Sequence, residues 1–236
     1  MEEKVFGVSV KMKSVGIRSK MKNNTINIVY RNVDKYFLEQ SYDSIFEKLY
    51  PARRQAIRKL KNKNATYVSM TAGLLLQEIA MDVLGLLPEK ILIEKNEHGK
   101  PFIQGQENFK YNISHSGDMV MLAYSTQELG ADIEKLRDKD IRVAKRCFCK
   151  SEYDYVIGSP QDDDKAVAER FFRVWTMKEA YLKYSGKGIS VPLSSFEVDA
   201  IYKCVKGETV KYYTGKVDNY IYAICAEDVS DVRIEN

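Results

Sequence analysis

Two short acidic segments on either side of residue 150 constrain this chain most, because each places charge where a fold normally places apolar side chains. They are residues 130–134 (GADIE) and residues 175–183 (WTMKEAYLK), and the second is closed by Gly-Lys-Gly at 186–188. Charged groups that a fold removes from water need partners. Together the two segments predict a single polar site built from both.

The first segment follows an apolar, strand-like run at 119–124 and a short polar turn. The sequence predicts a hairpin over residues 119–134. Side chains alternate between the two faces of a strand, which puts Asp132 and Glu134 on the same face. Two carboxylates at so short a distance repel each other unless a cation lies between them. Among cations, Mg²⁺ prefers carboxylates combined with phosphate oxygens. A solvated sheet edge is the alternative, and the pair taken alone favours it.

The second segment lies in a predicted helix over residues 163–185. The aspartates at 162–164 favour the N-terminal end of such a helix, and Gly186 is a natural C-terminal stop. At 3.6 residues per turn, one apolar ridge is expected to contain Phe171, Trp175, Lys178 and Leu182.

A lysine on this ridge needs an explanation. Burying Lys178 is costly unless an anion meets it, although its stem could also run along the surface and keep the ammonium in water. Glu179 and Lys183 lie four residues apart, as in an ordinary helical ion pair. From this segment alone, a functional site and a plain surface helix are equally supported.

Composition places the chain among ordinary globular proteins. Its 236 residues are enough for one large domain or two small lobes. The fractions of hydrophobic residues, 44%, and of charged residues, 30%, are ordinary for a globular protein. We expect no membrane span and no secretory signal. The four cysteines lack C-x-x-C spacing, which predicts free thiols in a reducing compartment, the cytoplasm, and argues against zinc.

Positive charge is concentrated at the start of the chain. Residues 1–24 contain six basic and two acidic residues, so this segment accounts for the whole net charge of +4. The remaining chain is neutral, and no motif of aromatic and basic residues is present for stacking bases. We therefore expect no nucleic-acid partner. Residues 5–10 could form an added strand, a basic arm is the alternative, and Met21 is a plausible second start.

Five ordered segments together resemble the 4′-phosphopantetheinyl transferases, and the similarity is greatest to the two-lobed, surfactin-synthetase-activating (Sfp-like) type. They are GKP at 99–101, NISHSG at 112–117, GADIE at 130–134, FCKSEY at 148–153 and the helix with its closing GKG at 171–188. The last segment is specific to the family, whereas the acid pair alone is not. The resemblance covers about residues 51–192.

The resemblance implies a mixed α/β (α+β) fold. Two similar lobes related by a pseudo-two-fold axis would each contain a small, mainly antiparallel sheet packed with helices. Residues 1–24 then form a basic extension outside the family pattern. Residues 25–125 form the N-terminal lobe on the nucleotide side, and residues 126–236 form the C-terminal lobe on the metal and catalytic side.

The implied reaction moves the 4′-phosphopantetheine arm of coenzyme A to a serine of an apo acyl, peptidyl or polyketide carrier protein and releases 3′,5′-ADP. It would require Mg²⁺, or Mn²⁺ in its place. By resemblance, the metal ligands are Asp132, Glu134 and Glu179. Lys178 and Lys183 would face the phosphates.

The base that accepts the serine proton is left open between Glu152 and Glu179. The residues whose positions match contacts to the nucleotide and its 3′-phosphate are Arg53, Ser69, Lys100, Ser114 and His115. Neighbouring strand residues point to opposite faces, which argues against a nucleophilic Ser114–His115 pair.

One position departs from the family pattern, because Ala56 stands where a second basic residue is common. Arg54 or Arg58 is the expected substitute. The basic residues at 53–63 and an exposed Phe148 are also candidates for docking an acidic carrier protein. A monomer suffices, since both lobes belong to one chain. The alternative function is a non-catalytic module that binds coenzyme A or a carrier protein.

Overall fold

A computed structural model of the protein describes residues 21–38, 40–138, 141–188 and 191–235. The expectations for residues 5–10 lie outside this part of the chain. In the described part, the α-helices are α1 (Val33–Leu38), α2 (Tyr42–Lys48), α3 (Pro51–Ile57), α4 (Lys63–Ile79), α5 (Ile141–Cys147), α6 (Lys150–Ile157) and α7 (Asp164–Ser185). The strands are β1 (Ile26–Asn32), β2 (Ile93–Lys95), β3 (Pro101–Ile103), β4 (Lys110–Ser116), β5 (Met119–Ser125), β6 (Leu129–Lys135), β7 (Val198–Asp199), β8 (Cys204–Val205), β9 (Lys211–Val217), β10 (Tyr220–Ala226) and β11 (Val232–Glu235).

The first sheet has the strand order β11-β1-β5-β4. Strand β5 is buried along its whole length and pairs antiparallel with β1 and β4, as expected for a continuous apolar run at the centre of a sheet. Strand β11 pairs parallel with β1, with Ile234 opposite Ile28. The C-terminal strand therefore joins the sheet of the N-terminal lobe, although it follows the other lobe in sequence.

The second sheet is antiparallel and has the order β6-β10-β9-β8-β7. Strand β6 pairs with β10, with Asp132 opposite Ala223, and not with β5. The predicted hairpin over residues 119–134 is therefore wrong. The turn at 126–128 leads out of one sheet into the other, because the apolar residues of β6 are needed in the core between the two sheets.

Side chains on the two faces of a strand contribute to different hydrophobic cores. Met119 and Met121 of β5 pack with Ala131 and Ile133 of β6 between the two sheets. The alternate residues of β5, among them Leu122, pack against α4 on the outer side of the first sheet, while α7 covers the outer side of the second. The layers run helix, sheet, sheet, helix. The predicted mixed α/β fold of two lobes is confirmed.

Asp118, in the turn between β4 and β5, ties the two lobes together. Its carboxylate accepts hydrogen bonds from the Tyr220 hydroxyl, from Lys135 Nζ at 2.9 Å and from Asn32 Nδ2 at 2.6 Å. These bonds, with that from Tyr220 foremost, hold the pKa of Asp118 well below its usual range. The carboxylate thus remains charged and links strands from both sheets.

The long helix predicted at 163–185 is confirmed as α7. Asp163 caps its N-terminus by accepting from Ala166 N at 2.7 Å, and Gly186 ends it with a left-handed φ of 68°. The single helix predicted over 141–155 is instead two, since Cys149 adopts an extended conformation and begins α6. The Glu152 side chain accepts from Cys149 N at 2.7 Å, which stabilises that new start.

Helix α4 continues through a π-helical turn, Ala80–Leu84, and shows why apolar length alone does not identify a membrane segment. The stretch Lys63–Leu84 is long and apolar enough to cross a membrane by length and composition, and 56% of its most apolar window is buried in the protein. A buried core helix passes the same test, so the evidence for a membrane segment is weak.

Candidate active site

The edge strands β4 and β6 of the two sheets lie next to each other, and polar side chains of β4 join them. Three residues of β4 that share one face accept hydrogen bonds from β6 backbone N–H groups. The acceptors are Asn112 Oδ1 for Ala131 at 3.0 Å, Ser114 Oγ for Ile133 at 3.4 Å and Ser116 Oγ for Lys135 at 3.1 Å. This side-chain ladder replaces a backbone ladder, and it fixes β6 beside the nucleotide half of the molecule.

Gly130 brings helix α7 onto β6. A Cβ atom at this position would lie 2.0 Å from Ala180 O and 2.3 Å from Tyr184 N, both backbone atoms of α7. Only glycine leaves room for so close an approach. The first residue of the GADIE motif therefore places Glu179 and Lys183 beside the carboxylates of β6.

We expect Gly130→Ala to impair both stability and transfer. The helix backbone cannot yield as a flexible side chain can, so the free energy of unfolding should fall by about 1–3 kcal/mol. Movement of α7 would also separate Lys183 from Asp132, so the rate of carrier modification should fall by more than the loss of folded protein explains. Urea unfolding and carrier mass spectrometry measure the two effects.

Gly73→Ala in α4 is the matched control for this prediction. The three atoms nearest its new Cβ would be side-chain atoms of Arg53, the closest at 2.6 Å, and a side chain can move aside. The loss of stability should be smaller than for Gly130→Ala. Equal destabilisation by the two substitutions would contradict the role assigned to Gly130.

Asp132 and Lys183 form the centre of the site. Lys183 Nζ lies 2.6 Å from Asp132 Oδ1 and 2.9 Å from Ser114 Oγ, and it also donates to Ala131 O at 3.1 Å. Ser114 donates to the same carboxylate oxygen at 2.8 Å. Asp132 is only 5% exposed, so this network holds a buried carboxylate in place.

Glu134 and Glu179 complete an acidic group around Asp132. Glu134 accepts from Ser116 Oγ at 2.7 Å and pairs with Arg137 at 3.2 Å. Burial, followed by the charges of Asp132 and Glu134, raises the pKa of Glu179, while Lys183 opposes the shift. The predicted metal-binding residues are therefore close enough to repel one another.

The chemistry of this group fits a hard divalent cation. Among the described residues, no group of three or more His, Cys, Asp or Glu side chains is arranged to hold a metal ion. However, Asp132 Oδ2 is buried and has no hydrogen-bond partner in the described part of the chain, and the neighbouring carboxylates repel one another. A cation bound to Asp132, Glu134 and Glu179 would give Asp132 Oδ2 a partner and would reduce the repulsion between the carboxylates.

Two adjoining cavities open beside this group. A cavity of about 300 Å³ is lined by Lys100, Glu179 and Lys183, among others. A larger one of about 940 Å³ is lined by Arg53, Ser69 and His115, and the two share Pro101 and Ile113. The structure thus brings together the phosphate-side and nucleotide-side candidates as neighbours.

Three of the nucleotide-side candidates converge in the larger cavity. Arg53 lies flat along α4 at Gly73 and donates to Tyr50 Oη at 3.1 Å and to Ser69 Oγ at 3.3 Å. His115 is exposed on the cavity wall, and desolvation, followed by the charge of Lys183, lowers its pKa. A neutral imidazole and a fixed guanidinium are therefore available to a ligand.

The other two nucleotide-side candidates are engaged elsewhere. Ser114 lines neither of these cavities, because alternation along β4 turns it toward β6, opposite His115. Lys100 lines the smaller cavity, but its ammonium donates to Glu128 at 2.8 Å and to Leu129 O at 2.9 Å. The expectation that Ser114 contacts the nucleotide directly is therefore wrong. Ser114 instead supports Asp132 by donating a hydrogen bond to its carboxylate.

Lys178 does not face the phosphates, contrary to expectation. Its side chain is 0% exposed and forms an ion pair with Glu152 at 2.7 Å. Nζ also donates to Leu193 O at 2.7 Å and to Phe196 O at 2.6 Å. The charge of the ammonium is compensated inside the C-terminal lobe by these partners, which explains a lysine on the apolar ridge.

Glu152 is equally committed to structure. Oε1 accepts from Val198 N at 2.7 Å in addition to Lys178, and Oε2 accepts from Cys149 N at 2.7 Å. A carboxylate with both oxygens occupied and its side chain 0% exposed cannot reach a serine in the cleft. The structure therefore contradicts Glu152 as the base and leaves Glu179 as the candidate.

Phe148 is buried rather than exposed. It is 6% exposed and packs with Phe171 at a ring-centroid distance of 5.4 Å. The predicted contribution of Phe148 to a docking surface is therefore wrong. The sequence contained no signal that distinguished a buried Phe148 from an exposed one.

Sequence reasoning missed the residues that support the site. The ladder residues Asn112 and Ser116 recur with Ser114 at every second position, and this alternation was the available signal. Gly130 lies within β6 and not in the turn that precedes this strand. Its role depends on α7, fifty residues later in the sequence, and no local pattern reveals it.

Comparison with known proteins agrees with this geometry. The family described as "4'-phosphopantetheinyl transferase superfamily" matches residues 128–225, and "4'-phosphopantetheinyl transferase, N-terminal" matches residues 38–127. The two matches meet at the turn between the two sheets. The fold and the site thus define a two-lobed phosphopantetheinyl transferase.

Similar proteins are found in bacteria and in a vertebrate. The 4′-phosphopantetheinyl transferase gsp of Aneurinibacillus migulanus is 35% identical over 181 residues, 74% of this chain and 74% of the relative. The transferase Sfp of Bacillus subtilis (strain 168) is 30% identical over 166 residues, 70% of this chain and 73% of the relative. The L-aminoadipate-semialdehyde dehydrogenase-phosphopantetheinyl transferase of Xenopus laevis is 27% identical over 162 residues, 63% of this chain and 53% of the relative. The chain belongs to the 4′-phosphopantetheinyl transferase superfamily, and the prediction of an enzyme of this class is confirmed.

Proposed function

We propose that this protein transfers the 4′-phosphopantetheine arm of coenzyme A to a serine of an apo carrier protein in a Mg²⁺-dependent reaction that releases 3′,5′-ADP. The observation that supports this most directly is the acidic group of Asp132, Glu134 and Glu179 beside two adjoining cavities. Glu179 lines the smaller cavity, and the larger one has Arg53, Ser69 and His115 among mostly apolar lining residues. Coenzyme A has a pyrophosphate, which suits the smaller cavity, and a separate phosphorylated nucleoside, which suits the larger one.

In this reaction the serine hydroxyl oxygen forms a bond to the phosphorus that carries the pantetheine arm. The bond from that phosphorus to the bridging oxygen breaks, and 3′,5′-ADP leaves with the electron pair. The serine proton passes to Glu179, the carboxylate in the wall of the smaller cavity. Lys183, fixed between Asp132 and Ser114, lies at the edge of the cavity and balances charge on the phosphates.

A divalent cation held by Asp132, Glu134 and Glu179 would neutralise the pyrophosphate and polarise its oxygens when bound. The protein's own contribution is to hold the acids in place. Asp132 is fixed by Ser114 and Lys183, and Glu134 is fixed by Ser116. Mg²⁺ is the ion we propose, with Mn²⁺ as a substitute.

The proposed partners are apo acyl, peptidyl or polyketide carrier proteins, and the proposed setting is the cytoplasm. The four cysteines are free thiols, which is compatible with a reducing compartment. Both cavities are built by one chain, so we propose a monomer that needs neither nucleic acid nor a membrane. A role in nonribosomal peptide or polyketide biosynthesis is part of the same proposal.

Intact mass spectrometry of carrier proteins tests the function directly. The protein is incubated with coenzyme A, Mg²⁺ and apo acyl, peptidyl and polyketide carriers in separate reactions. We expect at least one carrier to gain the mass of one phosphopantetheine, with equimolar 3′,5′-ADP. EDTA should abolish the gain and excess Mg²⁺ should restore it. Measurable coenzyme A binding without a mass gain on any carrier would instead indicate a binding module.

A further inference from the structure

The larger cavity has positive charge on its walls without negative charge to balance it. Its described lining residues include the cations Arg53 and Lys95, and none of the described lining residues is aspartate or glutamate. The smaller cavity differs, because Glu179 lies in its wall. The larger cavity is therefore the one suited to an anion that binds without a metal.

Lys95 is the cation in this group that sequence patterns did not indicate. It is the last residue of β2, and Ile93, two positions earlier, lines the same cavity. Alternation along the strand places Lys95 on the side of Ile93, whereas Glu94 lies opposite Phe102 in the strand pairing and outside the cavity lining. Lys95 is exposed and forms no ion pair with any residue in the described part of the chain.

The basic residues expected to replace the missing charge at position 56 do not line the cavity. Ala56 does line it, so the wall is apolar at that point. Arg54 pairs with Glu47 at 3.4 Å, and the Arg58 guanidinium lies over the Phe46 ring at 5.5 Å. Both arginines are therefore engaged away from the cavity, on other faces of the helical region.

We propose that Lys95, together with Arg53, binds the 3′-phosphate of coenzyme A and so supplies from β2 the charge that α3 lacks at position 56. The inference rests on the proposed function. Coenzyme A has two anionic parts, and the acidic group with Lys183 accounts for the pyrophosphate. The remaining anion is the ribose 3′-phosphate, and a fixed guanidinium with a mobile ammonium is a favourable pair of donors for it.

Calorimetric binding of coenzyme A and of 3′-dephospho-coenzyme A tests this assignment without requiring turnover. Lys95→Ala should weaken coenzyme A binding by roughly three- to tenfold, and Lys95→Glu should weaken it further. Binding of the dephosphorylated ligand should be unchanged, because it lacks the group that Lys95 contacts. Arg54→Ala and Arg58→Ala are the matched controls and should bind both ligands as the parent does.

Each other outcome is decisive. Unchanged coenzyme A binding by the Lys95 variants, or a loss in the Arg54 or Arg58 variant instead, would overturn the inference and leave the proposed function intact. Equal weakening of both ligands would also overturn it, since the effect would then be independent of the 3′-phosphate. If the parent protein binds neither ligand, the proposed function fails and the inference fails with it.

Discussion

Replacing Asp132 with asparagine is expected to lower the rate of carrier modification by at least about 100-fold while the protein remains folded. Asparagine matches the shape of aspartate but lacks its charge. The buried Oδ2, which has no hydrogen-bond partner among the described residues, would no longer be a carboxylate oxygen, and Lys183 would lose its counter-ion at 2.6 Å. Both the proposed cation site and the placement of Lys183 depend on this one group.

Three measurements separate this effect from unfolding. Carrier mass spectrometry gives the rate, circular dichroism gives the melting temperature, and a Mg²⁺ titration of that temperature reports binding, because a ligand that binds the folded state stabilises it. We expect Mg²⁺ to raise the melting temperature of the parent protein but not of Asp132→Asn. Glu169→Gln is the matched control, since Glu169 also pairs with a lysine, Lys216 at 2.5 Å, but lies outside the cavities. Transfer by Asp132→Asn at the parent rate would refute the site.

Lys178→Met is expected to reduce the free energy of unfolding by about 3–5 kcal/mol, the usual consequence of removing one partner of a buried ion pair. Glu152 would be left in the core without solvent or its ammonium partner, while the carbonyls of Leu193 and Phe196 would lose a shared donor. The segment that follows the Gly-Lys-Gly turn would lose its anchor to α7.

The double variant Lys178→Met/Glu152→Gln distinguishes a structural lysine from a catalytic one. Removing both charges should recover much of the stability, because no uncompensated buried charge remains. Urea unfolding measures the change, with Lys150→Met, at the exposed pair with Asp154, as a control that should have little effect. If Lys178→Met instead abolished transfer and left stability unchanged, a role at the phosphates would be restored.

The second of these predictions concerns a residue whose immediate neighbour in sequence has the opposite role. Lys178 and Glu179 both belong to the specific motif in α7, and the sequence offered both as parts of one active site. Adjacent positions on a helix point about 100° apart, so one can enter the core while the other faces the cleft. Only the surrounding elements show which is which. Glu152 decides the outcome, since it comes from a different helix and meets Lys178 in the core.

The roles of the residues that support the site also could not be predicted from the sequence alone. The alternation of β6 was readable in sequence, and it correctly separated Ala131 and Ile133 from Asp132 and Glu134. The partner strand of β6 was not readable, because a polar turn is compatible both with a hairpin and with a crossing into another sheet. The ladder between β4 and β6 depends on that crossing.

The sequence by itself determined the limits of α7 and the face on which the acids lie, since each follows from local periodicity and capping. It implied the mixed α/β class only through its resemblance to a known family. It also determined the family, because the ordered motifs are specific. The tertiary structure decided the rest: Gly130 as the contact point for α7, Lys178 as a buried partner of Glu152, and Lys95 as a cation on the cavity wall. These roles depend on distances between elements far apart in the chain, and a linear pattern contains no information about which of two faces a distant element will cover.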